Sequence, residues 1–147
     1  PDEGGERFMT VQPPHQRFDA AVAIRDGLRS LLPDSEIQLS KDATYSPDEL
    51  VTVVQVSNVR PIGALPGQRW AFSATIALVT TGADYDQTAD EADRVADALL
   101  SMDESDEVKL SSIMSDSEPV RLSPHSPSGA ETLTSSYSAI LRRKGRA

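Results

Sequence analysis

From His15 onward the apolar positions recur every three or four residues. Phe18, Ala21, Val22, Ile24, Leu28, Leu31 and Leu32 share one broad face, with Asp19, Arg25, Asp26 and Arg29 off it. This spacing predicts an amphipathic helix, with Pro14 suited to its first turn and Pro33 stopping it. Gly27 inside it either costs about 1 kcal/mol against alanine or marks a close contact with a sheet. The period then falls to two. Residues 37–40 read as a short strand, residues 41–49 as a polar turn, and residues 50–57 (LVTVVQVS), rich in β-branched side chains, as a second strand. Residues 58–68, with two prolines and two glycines, read as a long hairpin loop. Residues 69–80 alternate most cleanly: Trp70, Phe72, Ala74, Ile76 and Leu78 take one face, and Ala71, Ser73, Thr75, Ala77 and Val79 the other.

Thr81 and Gly82 read as the end of that strand. Thr88 followed three residues later by Glu91 is a capping-box pattern, after which Ala89, Ala92, Val95, Ala96, Leu99 and Met102 run down one helical face. Residues 103–107 form an acidic turn, and residues 108–115 read as a strand led by Val108, Leu110 and Met114. A Ser/Pro loop is expected over 116–130. Leu133, Ser135, Tyr137, Ala139 and Leu141 then alternate through a last strand over 131–142. The expected order is α-β-β-β-α-β-β. Strand runs broken by two amphipathic helices predict an α+β domain over residues 15–143, with both helices on one face of a mixed or antiparallel sheet. Residues 1–14 read as a flexible arm and 144–147 as a basic tail.

Charge sharpens this picture. The 147 residues hold 14 Lys+Arg against 23 Asp+Glu, a formal net charge of −9. Such a chain is poorly suited to gripping duplex nucleic acid, where clustered cations neutralise phosphate. The acids are concentrated: residues 84–118 contain twelve acids against Arg94 and Lys109, whereas residues 142–146 carry four bases. Asp90, Asp93 and Asp97 lie on the polar side of the second helix, and the charge layout suits an oriented assembly with one acidic surface. With no Cys, thiolate metal sites, disulfides and Cys nucleophiles are excluded. No apolar run approaches the ~20 residues of a membrane span, so no membrane contact is expected. The acidic first six residues do not resemble a secretory signal.

Motifs for catalysis are sparse. The eight glycines form neither G-x-G-x-x-G nor a phosphate loop. The two histidines, His15 and His125, stand apart in sequence beside prolines. Asp84, Asp86 and Asp90 echo a calcium loop, but Ala89 and Val95 stand where that loop needs Gly and Glu. No cofactor, metal or catalytic residue is expected. The hairpin loop is the more pointed feature, because Ile62, Ala64 and Leu65 lie between Arg60 and Arg69 in a proline-stiffened segment that projects from the sheet. Arg60, Ile62, Leu65 and Arg69 are the candidate contacts with another subunit.

The first helix with its short strand, the long hairpin ending in a very regular strand, and the direct turn into the Ala/Asp-rich helix of residues 86–99 together resemble the tail terminator, or tail-completion, family of long-tailed bacteriophages. The resemblance spans about residues 14–143. It implies a virion protein without enzymatic activity that forms a homo-hexameric ring on the head-proximal end of the tail tube. Such a ring ends tube polymerisation, and its partners are the major tail tube protein and a head-completion or stopper connector protein. DNA would pass through it without specific binding, past channel-facing Asp90, Asp93 and Asp97, and Arg60, Ile62, Leu65 and Arg69 would contact the neighbouring subunit or the tube. Two other classes fit the same pattern: another connector, neck or tail tube protein, and a small ferredoxin-like enzyme or ligand-binding module.

Overall fold

Asp19 supplies an acceptor that the first turn of a helix lacks, its Oδ1 receiving a bond from the Val22 N–H at 3.2 Å, and the chain becomes helical directly after it. The computed structural model describes residues 19–39, 49–62, 71–104, 108–122 and 131–143. Helix α1 is Ala20–Leu31, followed by β1 (Ile37–Gln38), β2 (Val51–Ile62), β3 (Ala71–Gly82), α2 (Tyr85–Ser101), β4 (Val108–Arg121) and β5 (Glu131–Arg143). The order is the expected α-β-β-β-α-β-β, in an α+β architecture.

The five strands form one mixed sheet in the order β1-β2-β3-β5-β4. β1 lies parallel to β2, and every other neighbouring pair is antiparallel. Both helices cover the same face. Ile24 and Leu28 of α1 and Val95 and Leu99 of α2 join Val54, Ile76, Leu78, Tyr137 and Leu141 in one buried cluster. The alternation read in β3 and β5 holds: Phe72, Ala74, Ile76 and Leu78, then Leu133, Ser135, Tyr137, Ala139 and Leu141, are all buried. Leu28 is buried with them and Val22 is half-buried, whereas Leu31 is 49% exposed at the end of its helix. Phe18 and Trp70 lie outside the described residues.

Four local expectations are corrected. β2 does not stop at Ser57. It continues to Ile62, paired with β3 as far as Ile62 opposite Ala71, across a bulge between Ser57 and Arg60 where Asn58 takes a left-handed conformation (φ 54). Asparagine tolerates that conformation. β1 pairs only with Thr52 and Val53, so the far half of β2 is an edge, where Pro61 is accommodated. β3 in turn runs through Gly82, and α2 is capped by Asp84, whose Oδ2 accepts from the Gln87 N–H at 2.9 Å, not by Thr88. Thr88 is instead buried inside the first turn and donates its hydroxyl to the Asp84 carbonyl at 2.6 Å. Gly82 permits this, since a β-carbon there would run into Thr88 Oγ1 and lie 2.9 Å from Leu50 Cδ1. Finally, β4 continues to Arg121, and a register shift between Leu110 and Ser112 turns Ile113 toward the core. The same shift leaves Met114 61% exposed on the opposite face.

Candidate functional site

At the far end of the sheet Phe72 of β3 and Leu141 of β5 are still buried, while the edge strand β2 is not. β2 begins as four buried residues, Val51 to Val54, and finishes with six consecutive exposed ones, Ser57 to Ile62. Val59 and Ile62 are 42% and 40% exposed. Arg60 stands opposite Ser73 and Ile62 opposite Ala71, residues on the face of β3 that no helix covers. β3 remains paired with β5 here and Phe72 is buried, so the exposed part is β2 alone, an edge strand that offers two apolar side chains, a cation and a stiff Pro61 to whatever approaches. Of the four candidate contacts, Arg60 and Ile62 are thus brought together at the hairpin end, on a strand and not in a loop. Leu65 and Arg69 lie outside the described residues.

The acids of α2 form the second surface. Asp86, Asp90, Asp93 and Asp97 are all exposed and recur at intervals of four, three and four residues, which lines them along one stripe of the helix. Asp86, in the first turn, favours the helix dipole, but no basic residue balances the stripe in the last turn. Arg94 is engaged by the buried Glu91, whose carboxylate accepts from its guanidinium and raises the arginine's pKa. Sequence reasoning placed Glu91 in a capping box. Its burial follows from the longer helix that Asp84 starts.

A clasp fixes the start of α2 to the sheet. Arg121, at the end of β4, makes a two-pronged contact with Glu131 at the start of β5 (2.8 and 2.9 Å), and its guanidinium lies 4.7 Å from the centre of the Tyr85 ring. No periodicity signals this triad, because its members are dispersed over three elements. In the core, the Tyr137 hydroxyl donates to Ser135 Oγ at 2.8 Å, and burial pushes its pKa up against the smaller, opposite effect of that bond.

Asp84 is committed to capping, and Asp86 and Asp90 stand exposed on the helix, so the three residues that echo a calcium loop do not enclose a space. Among the described residues, no group of three or more His, Cys, Asp or Glu is placed to hold a metal ion. His15 and His125 lie outside them. No described helix is long and apolar enough to cross a membrane. Comparison of the chain with protein-family models and with curated proteins finds no match in either.

Proposed function

We propose that the chain is a structural subunit of a phage tail, a tail terminator that closes into a homo-hexameric ring on the head-proximal end of the tube. The observation that carries this reading is the exposed far half of the edge strand β2, six consecutive exposed residues with Val59 and Ile62 on show beside Arg60. Heterologous contacts that close a ring need a surface of one subunit that fits a different surface of the next, and an exposed strand edge with apolar side chains suits that purpose. The ring would meet the major tail tube protein on one side and a head-completion or stopper connector on the other. Asp90, Asp93 and Asp97 would face the channel, where fixed negative charge keeps passing DNA from sticking. Deleting residues 62–66 tests the joint. The shortened chain should keep its folded circular dichroism spectrum yet show no rings by negative-stain electron microscopy. Rings formed as well by the shortened chain would place the joint on another surface.

A further inference from the structure

No described helix covers the face of the sheet opposite α1 and α2, and the side chains on it are partly exposed. Ser73, Thr75, Ala77, Val79 and Thr81 of β3 and Thr132, Thr134, Ser136, Ser138 and Ile140 of β5 point to it, each paired with its neighbour across the two strands. None of these ten side chains is charged. β4 adds Met114, 61% exposed, and Val120, 52% exposed, through their pairings with Ser138 and Thr134. Charge lies at the border and in both signs: Arg60 opposite Ser73 and the paired Lys109 and Arg142 at one end, and Asp116, which accepts from Ser138 Oγ at 2.6 Å. At the corner formed by β2, Val51 and Val53 are already buried.

We propose that this face packs against the same face of a second copy, sheet on sheet, about a two-fold axis. Three observations favour that occupant. The sheet's edges are blunted against strand-to-strand association: β4 carries three register shifts and Pro119, β2 carries the Asn58 bulge and Pro61, and β1 is two residues long. The other broad face presents the aspartate stripe of α2, so two copies meeting there would set like charges together. An uncharged face on a chain of net charge −9 is where copies approach without that repulsion. The size also suits. β3, β5 and β4, twelve or more residues long at ~3.4 Å per residue and ~4.8 Å apart, give about 570 Å² per copy. The two copies together bury ~1,100 Å², above the ~1,000 Å² that a specific interface needs. The small Ala, Ser and Thr side chains let the sheets come close, and their hydroxyls bond across the junction while the methyl groups of Thr, Val, Ile and Met are buried.

The cysteine-free sequence makes the test direct, because an introduced thiol has no competitor. Ala77 and Ser136 face one another across β3 and β5 near the centre of the surface. Ala77→Cys and Ser136→Cys in the full chain, mildly oxidised at micromolar concentration, should form covalent dimers of twice the chain mass. Asp90→Cys on the helix side should give at least tenfold less. A charge at the centre should dissociate the pair, so Ser136→Asp should sediment as a lighter species while keeping the wild-type circular dichroism spectrum. If Ser136→Asp fails to fold, Thr75→Lys serves the same purpose. Equal cross-linking at all three positions overturns the proposal. So does a monomer in which the thiol introduced by Ala77→Cys or Ser136→Cys resists labelling, because another part of the same chain would then cover the face. A cross-linked dimer that forms no ring leaves this inference standing and removes the ring reading, so the two are judged separately.

Discussion

Gly82 shows how one missing β-carbon sets the junction between sheet and helix. Its neighbours Thr88 Oγ1 and Leu50 Cδ1 occupy the space a side chain would need, and Thr88 is held there by its bond to the Asp84 carbonyl. Gly82→Ala should therefore destabilise the fold by about 1–3 kcal/mol, read as a lower urea midpoint at unchanged slope. Asp84→Ala should cost about 1 kcal/mol by removing the cap, and Thr88→Val should retain more of the helix than a true cap variant would. Tyr137 offers a different check. Its pKa is raised in the folded chain, so its proton is held more tightly there than in the unfolded chain. The resulting stability is fully present below the ordinary tyrosine value of about 10 and is lost as pH rises through the folded value. Tyr137→Phe should lose about 1 kcal/mol at neutral pH, because Ser135 Oγ is left buried without its partner. It should also show a shallower fall in stability above pH ~10 than the wild type, measured by denaturant unfolding at several pH values.

At the scale of elements, the strand faces were legible because period two is written into the covalent chain, and burial of Phe72, Ile76 and Leu78 follows it. Ile76→Ala should cost about 2–5 kcal/mol, since the side chain is wholly buried, and wild-type melting of that variant would contradict the packing described. The extension of β2 was not legible. Asn58 and Pro61 favour turns by residue type, and only the pairing with β3 on both sides of the bulge carries the strand past Asn58 and keeps Pro61 in it. Met114 looked like core for a related reason: a bulge reverses the faces of a strand, and no residue type in Ser111–Ser112 announces one. The start of α2 hinged on two adequate caps, Asp84 and Thr88, between which close packing under Gly82 decides. Of the candidate site, exposure of Arg60, Ile62, Asp90, Asp93 and Asp97 was readable from the sequence, whereas the clasp of Arg121, Glu131 and Tyr85 needs the fold to assemble it.

For the whole molecule, the division into an acidic helix layer and an uncharged sheet face is the property from which the assembly proposals grow. If the aspartate stripe faces a DNA-bearing channel, replacing Asp90, Asp93 and Asp97 by lysine should give the assembled protein a measurable affinity for duplex DNA. That affinity should fall linearly on a log–log plot against salt, as released counterions require. Unchanged DNA binding at low salt would turn that stripe away from the channel. The most direct measurement of the central claim is the mass of the full-length wild-type chain in solution, by sedimentation velocity at tens of micromolar. The ring account predicts a closed species of six times the 15.8 kDa chain mass, or of twelve times it where two rings pack sheet on sheet, converted to smaller species when residues 62–66 are removed. A chain that sediments as a 15.8 kDa monomer throughout that range, or whose six-fold species is unaffected by the deletion, would contradict it.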